Sequence, residues 1–115
     1  MKNLRNKVQL IGNLGMDPEV KSLSNGNKVV NFTLATSEYF KDAQGNRKQD
    51  TQWHRVVAWG QLANIIESYV HKGSQVAVEG KLVHRSFETK TGERKFVTEI
   101  VANDLVMLNK NEENR

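Results

Sequence analysis

Residues 51–82 have the sequence TQWHRVVAWGQLANIIESYVHKGSQVAVEGKL, and the spacing of the hydrophobic residues changes twice within it. The run Thr51–Trp59 is rich in β-branched and aromatic residues, which favours a strand. The apolar residues that follow recur at i, i+3, i+4 and i+7 and are Leu62, Ile65, Ile66 and Tyr69. This spacing predicts one apolar face of a short helix, which we expect to cover a barrel and to end near Lys72-Gly73.

The chain on both sides of this stretch is patterned as strands joined by turns. Ser74–Phe87 predicts a long strand, in which Gly80 indicates a sharp bend. Further strands are expected at Lys7–Leu14, around the alternating Val30, Phe32 and Leu34, and at Lys95–Ala102, with Leu105–Leu108 as a separate apolar segment. The expected turns are Asn25-Gly26, Gly45-Asn46 and Thr91-Gly92, because asparagine and glycine favour tight bends.

Five strands with a single helix between the third and the fourth is the element order of an OB-fold. The sequence therefore predicts an all-β protein, a five-stranded OB-fold barrel with one short helix between strands 3 and 4 and long β-hairpin extensions. We expect residues 1–108 to form this domain and residues 109–115 to form a short polar C-terminal end.

The composition limits the classes of function. The chain has 115 residues, the size of one domain, a formal net charge of +4 and no cysteine. His54, His71 and His84 lack metal-ligand spacing, so no metal and no cofactor are expected. The carboxylates are scattered and no nucleophile motif is present, which predicts that the protein is not an enzyme. Neither a membrane-spanning stretch nor a signal peptide is apparent, so we expect a cytoplasmic protein.

One face of the strand Thr51–Trp59 carries two indoles flanking a guanidinium. Side chains alternate across a strand, so this face is expected to present Trp53, Arg55, Val57 and Trp59. Bases stack on indoles whatever their identity, and arginine binds phosphate or stacks on a ring. The alternative is that both tryptophans are core residues. An unpaired Arg55 between them would be costly to bury, which favours a binding face.

Aromatic residues adjoin basic ones on two further segments. In the strand Ser74–Phe87, Lys81, Val83, Arg85 and Phe87 share a face, beside a hairpin that carries Lys90, Arg94 and Lys95. The polar segment after Tyr39 and Phe40 carries Lys41, Arg47 and Lys48. Each basic cluster alone is typical of a solvated loop. Three aromatic and basic combinations together predict sequence-tolerant binding of a single-stranded nucleic acid.

Three stretches of the sequence resemble the bacterial single-stranded DNA-binding protein family. They are KVQLIGNLGMDPEVK at residues 7–21, NGNKVVNFTLATSE at residues 25–38 and the stretch at residues 51–82, and the likeness extends over about residues 5–108. The resemblance implies sequence-independent binding that coats and protects single-stranded DNA in replication, recombination and repair, close to the nucleoid in the cytoplasm.

The resemblance also implies particular site residues. The stacking aromatics would be Phe40, Trp53, Trp59 and Phe87, and the phosphate contacts would be Arg55, Lys72 and Arg85, with the loop residues Lys48, Lys90 and Arg94. The family pattern has tryptophan near positions 40 and 87 and phenylalanine near position 59. This chain therefore exchanges one aromatic for another at three positions, and a π-face survives at each.

The family usually forms a homotetramer, a dimer of dimers. The resemblance places the subunit interface on Lys7, Val8, Gln9, Leu10, Ile11 and His54. An ordinary packing role is the alternative for His54. Family members generally end in a flexible linker and an acidic tip that recruits replication and repair proteins. This sequence ends in Asn-Glu-Glu-Asn-Arg, so tip-mediated recruitment is not expected.

Three other functions are compatible with the same residues. An OB-type adaptor would bind chiefly protein and would show weak affinity for single strands. An RNA chaperone could use the same stacking surface, because nothing in the sequence distinguishes a 2′-hydroxyl. A small nuclease on the same barrel would cleave oligonucleotides in the presence of magnesium or calcium.

Overall fold

The computed structural model of the protein describes residues 4–108. Within this range, six strands and one helix follow one another along the chain. They are β1 (Val8–Leu14), β2 (Glu19–Ser22), β3 (Lys28–Lys41), β4 (Arg47–Trp59), α1 (Gly60–Tyr69), β5 (Gln75–Glu88) and β6 (Arg94–Met107). Five strands pair in the order β1-β5-β6-β4-β3 and close through a β1–β3 contact, and β2 pairs with β3. The predicted five-stranded barrel, with its helix between the third and fourth barrel strands, is confirmed.

Two long antiparallel hairpins supply most of the barrel. The β3–β4 hairpin is paired without interruption from Val29 opposite Trp59 to Lys41 opposite Arg47. The β5–β6 hairpin runs from Val76 opposite Met107 to Glu88 opposite Arg94. The hairpins join in parallel through only two residue pairs, Val56 with Ile100 and Val57 with Val101. We call this short contact the β4–β6 seam.

The core lies inside the barrel and follows the alternation seen in the sequence. Val30, Phe32 and Leu34 of β3 are fully buried, whereas the residues between them are only partly buried. Val56, Val76 and Ile66 are also fully buried and join them in one apolar cluster. The period-2 pattern therefore predicted the inward face of β3 correctly.

The helix covers the barrel through only part of the face that the sequence predicted. Its buried residues are Ala63 and Ile66, followed by Val70 directly after its end, whereas Ile65 and Tyr69 are exposed. The small side chain of Ala63 lets the helix approach β3, β4 and β6 closely. The prediction was therefore right for Ile66 and for Leu62, which packs against the core, and wrong for Ile65 and Tyr69. Gly73 is likewise no helix cap, because α1 ends at Tyr69 and Gly73 lies in the turn that bonds to Leu14.

The tips of three hairpins share one turn geometry. Each tip is a five-residue segment in which the backbone N–H of the first residue donates to the carbonyl of the fifth. The N–H of the glycine at the fourth position donates to the carbonyl of the first residue. These segments are 23–27, 42–46 and 89–93. Only the glycine adopts a positive φ, so Asn25-Gly26 is not the two-residue turn that the dipeptide suggested but a longer turn with one left-handed position.

Several segments are more regular than the sequence indicated. The polar residues 40–50, for which only a turn at Gly45-Asn46 was predicted, are paired strand on both sides of the turn at residues 42–46. Lys95–Ala102 and Leu105–Leu108 are not separate, since β6 continues to Met107. Gly80 lies at an irregularity in the β5–β6 register, where a Cβ atom would lie 2.2 Å from the carbonyl oxygen of Val101. The close approach of two backbones explains this mid-strand glycine.

Candidate nucleic-acid interface

The register of β4, β6 and β5 brings three predicted segments onto one outer surface. Val57 pairs with Val101, and Val101 pairs with Lys81, so these three side chains share a face. Because side chains alternate along each strand, residues two and four positions away lie on the same face. We name this surface the β4–β6–β5 face and define it by Trp53, Arg55, Trp59, Arg85, Phe87 and Glu99.

The aromatic side chains of this face are exposed. Trp53 is 62% exposed, Trp59 47% and Phe87 44%. Their strand neighbours Val56 and Ala58, which point into the barrel, are completely buried. The alternative in which the tryptophans form the core is therefore wrong. The face offers three aromatic surfaces on which bases can stack.

The indole of Trp53 is supported from one side by the chain beside β1. Gly15 lies directly against its six-membered ring, and the Gly15 N–H donates to the carbonyl of Thr33 at 3.1 Å. In β3, Ala35 pairs with Trp53 and Thr33 pairs with Arg55. The β1 end therefore sets the height at which the indole stands above the sheet.

Two guanidiniums of the face meet at one buried carboxylate. Arg85 Nε donates to Glu99 Oε1 at 2.8 Å, and Arg55 Nε lies 3.9 Å from Glu99 Oε2. The Glu99 side chain is only 6% exposed, while Arg55 and Arg85 are 54% and 50% exposed. The hydrogen bond to Glu99, together with its charge, raises the pKa of Arg85. Arg85 is therefore cationic at any working pH.

A cleft of about 320 Å³ opens where β4 and β6 separate beyond their seam. It is lined by Trp53, His54, Arg55, Leu82, Thr98, Glu99 and Ile100. An indole forms one wall, and a guanidinium and apolar side chains form others. A flat aromatic group with a nearby negative charge, such as a nucleotide, suits this combination.

The register separates Phe40 and Lys48 from the tryptophans. Phe40 pairs with Lys48, and both lie an odd number of positions from the Trp53 and Ala35 pair, so they project from the His54 side of the hairpin. Tyr39, which is 65% exposed, has the parity of Trp53 instead. The predicted 40s cluster is thus divided between the two faces, and Tyr39 is an aromatic of the Trp53 side that was missing from the predicted site.

The remaining predicted cations lie outside the residues that define this face. Lys72 is exposed in the turn before β5, where its backbone N–H donates to Asp17 Oδ1 at 2.8 Å. Lys90 is exposed at the β5–β6 tip. Arg94 Nη1 donates to Ser86 Oγ at 2.9 Å, which holds it on the side away from Arg85 and Phe87. Phe96, 79% exposed and opposite Ser86, lies on that far side and was also missing from the predicted site.

The residues predicted for a subunit interface fall into two groups. Val8 and Leu10 pack against the core, whereas Gln9 and Ile11 are exposed, and Lys7 forms an ion pair with Glu79 at 3.3 Å. Ile11, Ala77 and Val106 form a row across β1, β5 and β6, and Ile11 and Val106 are 60% and 55% exposed. His54 is partly buried, and its Nε2 lies 3.0 Å from Thr36 Oγ1. A histidine with a partner in its own chain agrees with an ordinary packing role.

The residues from 4 to 108 contain no group of three or more histidine, cysteine or acidic side chains arranged to hold a metal ion. Across the same range, α1 is too short to cross a bilayer and no other helix could span a membrane. The predicted C-terminal end, residues 109–115, lies outside the described residues.

The closed barrel, its single helix and its exposed aromatic and basic face define an OB-fold protein. The model of the single-strand binding protein family matches residues 5–108. The chain belongs to this family. It is 57% identical over 104 residues to single-stranded DNA-binding protein 1 of Chlorobaculum tepidum and 44% identical over 110 residues to that of Xylella fastidiosa.

The matches cover 90% and 95% of this chain and 64% and 81% of those two proteins. The chain therefore spans less than two thirds of the length of the Chlorobaculum tepidum protein.

Solved structures with the same fold include a protein bound to single-stranded DNA. The Plasmodium falciparum SSB in complex with ssDNA superposes with a TM-score of 0.83 at 36% identity, covering 95% of this chain and 99% of that one. A deletion mutant of the Thermus aquaticus single-stranded DNA-binding protein superposes with a TM-score of 0.78 at 28% identity. The match covers 90% of this chain and 50% of that one.

Proposed function

We propose that this protein binds single-stranded DNA without reading its sequence and coats exposed strands during replication, recombination and repair. The observation that carries the proposal is the β4–β6–β5 face, on which Trp53, Trp59 and Phe87 are exposed beside two guanidiniums. Membership of the single-strand binding protein family and the likeness to a protein solved with ssDNA support it.

The proposed mechanism combines stacking with phosphate neutralisation. Bases stack on Trp53, Trp59 and Phe87, and the cleft beside Trp53 receives one of them. Arg55 and Arg85 bind phosphates, with Lys72 at the edge of the surface. A longer strand reaches the two hairpin extensions, where it meets Phe40 and Lys48 on one and Lys90 and Arg94 on the other. Aromatic faces accept every base, so this mechanism does not select a sequence.

Tryptophan fluorescence tests the proposal directly. The protein is titrated with oligo(dT) and with a matching duplex at two salt concentrations. We expect strong quenching by oligo(dT) alone, weakened by salt because phosphate contacts release counterions. Equal quenching by the duplex would contradict single-strand selectivity, and no quenching by either would favour a protein-binding adaptor. The same titration with oligo(rU) compares RNA with DNA.

The proposal assigns binding without catalysis and a cytoplasmic location at the nucleoid. Incubating an end-labelled oligonucleotide with the protein and magnesium or calcium checks the first part. An intact oligonucleotide agrees with it, and metal-dependent cleavage would replace it with the nuclease function.

We further propose a homotetramer in which the β1 segment at Lys7–Ile11 and His54 of β4 contribute to contacts between copies. The exposed apolar row of Ile11 and Val106 supports a surface that is covered by protein. Light scattering after size exclusion measures the mass in solution. Because Val8 and Leu10 already pack on their own core, Ile11→Lys tests the contact with less risk to the fold.

A further inference from the structure

Glu99 is an acidic residue at the centre of a surface that the proposed function assigns to a polyanion. It is 5% exposed and lies between Arg55 and Arg85. A buried carboxylate is costly unless it is paired. A negative charge beneath the DNA face also opposes phosphate binding. Glu99 is therefore unfavourable in two ways, unless it contributes to the function of this surface.

Glu99 contacts both arginines through the Nε atoms of their guanidinium groups. Glu99 Oε1 accepts a hydrogen bond from Nε of Arg85, not from its Nη atoms. The Arg55 atom nearest to Glu99 Oε2 is likewise Nε, at 3.9 Å. Among the described residues, neither guanidinium has another ion-pair or hydrogen-bond partner. The Nη donors of both arginines therefore stay available, and these donors form the fork that binds a phosphate through two parallel bonds.

We propose that Glu99 is a positioning residue for DNA binding, whose buried carboxylate binds Nε of Arg85 at 2.8 Å, faces Nε of Arg55 at 3.9 Å, and leaves the Nη edges of both guanidiniums to adjacent phosphates. Free arginine side chains lose considerable rotamer entropy when they bind. A carboxylate that holds the guanidinium in advance removes part of that loss. This inference rests on the proposed function, since it explains how the two arginines act on the strand.

The second carboxylate oxygen indicates that the Arg55 contact is incomplete in the free protein. Glu99 Oε2 is buried and accepts no hydrogen bond from the residues described. A separation of 3.9 Å is too long for a hydrogen bond, and a shift of about 1 Å in Arg55 would make one. A phosphate that draws Arg55 towards the sheet would satisfy this oxygen. Binding by Arg55 and binding by Arg85 should therefore be coupled through Glu99.

Whether replacing Glu99 tightens or weakens oligo(dT) binding distinguishes a positioning role from simple charge repulsion of phosphate. Glu99→Leu raises the net charge by one and removes the acceptor, while Glu99→Gln removes the charge and keeps a carbonyl acceptor for Arg85. If Glu99 only repels phosphate, both variants bind oligo(dT) more tightly. If it positions the arginines, Glu99→Leu weakens binding about tenfold, as expected when charged hydrogen bonds are removed, and Glu99→Gln lies between it and the unchanged protein.

A matched control is available on the helix. Glu67 forms an exposed ion pair with Lys28 at 2.7 Å and is not a residue of the β4–β6–β5 face. Glu67→Leu changes the net charge equally, so we expect affinity for oligo(dT) to be unchanged or slightly higher. Circular dichroism and thermal unfolding confirm that each variant is folded. Glu99→Leu leaves no buried charge unpaired, because Arg55 and Arg85 are half exposed, and Glu99→Gln serves as the second variant.

The decisive experiment measures oligo(dT) affinity against salt for Glu99→Leu, Glu99→Gln, Arg85→Ala and the double variant Glu99→Leu/Arg85→Ala. We expect the salt slope of Glu99→Leu to fall by about 0.7 for each phosphate that the variant no longer binds. We also expect Glu99→Leu to have little further effect once Arg85 is absent. A folded Glu99→Leu protein with tighter binding, an unchanged slope or fully additive effects would overturn the inference while leaving single-strand binding intact. Failure of the unchanged protein to bind oligo(dT) would instead overturn the proposed function.

Discussion

A Cβ atom on Gly15 would lie 2.4 Å from Cζ3 of Trp53, so the position that supports the indole has room for a hydrogen atom only. Gly15 has no positive φ that would require glycine. The residue is therefore fixed by the ring beside it and not by backbone conformation. The Gly15 main chain therefore leaves no space for a side chain between it and the six-membered ring of Trp53.

Replacing Gly15 with alanine should displace the indole more than it destabilises the fold. Trp53 is exposed and its ring can swing outward, so we expect a loss of about 1 kcal/mol of unfolding free energy, the low end for over-packing. Oligo(dT) affinity and tryptophan emission should both change. Gly80→Ala is the control, because its Cβ would lie 2.2 Å from the carbonyl oxygen of Val101, in the other hairpin. That variant should lose stability without a specific change at Trp53.

Trp53→Ala should weaken binding to every sequence to a similar extent. Stacking on one aromatic contributes roughly 1–3 kcal/mol per base, a range established on this class of protein. Affinities for oligo(dT), oligo(dC) and a mixed sequence, measured at one salt concentration, check the prediction. A loss confined to one of them would show that Trp53 reads a base.

Arg55→Ala should flatten the dependence of affinity on salt. Each phosphate contact contributes about −0.7 to the slope of log K against log salt concentration for single strands. The guanidinium is half exposed, and its nearest acidic neighbour Glu99 retains Arg85 as a partner, so the fold should survive the change. An unchanged slope would show that Arg55 does not contact a phosphate of the bound DNA strand.

Phe40→Ala should have an effect that depends on the length of the strand. Phe40 projects from the opposite side of the β3–β4 hairpin to Trp53, so an oligonucleotide of about 8 nucleotides that occupies one barrel face should bind normally. A strand several times longer, which passes around the hairpin, should bind more weakly. Phe87→Ala is the comparison, since it should weaken both lengths. Equal losses in the two lengths for Phe40→Ala would mean that the hairpin twist brings Phe40 onto the Trp53 side.

Local patterns in the sequence were sufficient to predict the barrel and the exposed aromatic face of the strand Thr51–Trp59. Alternation identified the inward side of β3, and the unfavourable burial of Arg55 separated an exposed tryptophan strand from a core strand. The helix face was predicted only in part, because hydrophobicity favours large residues such as Ile65 and Tyr69, whereas the small Ala63 is buried against the barrel. Glu99 was not singled out from the sequence, because a lone carboxylate in a strand is expected to be solvated and its burial follows from the pairing of β4 with β6. Predicting that Phe40 and Tyr39 lie on opposite faces likewise required the unbroken β3–β4 register, which the polar composition of residues 40–50 does not indicate.

The β4–β6 seam has a consequence for how the chain reaches its native state. Each hairpin brings together residues that are close in sequence, so both can form early and independently. The seam and the β1–β5 pairing join residues that are much farther apart in sequence than those at either hairpin tip, and they carry a larger loop-closure entropy. Closure of the ring should therefore be the late step of folding. The surface that includes Arg55 from one hairpin and Arg85 and Glu99 from the other exists only after that step, so a chain arrested as two open hairpins would have its tryptophans but no assembled binding face.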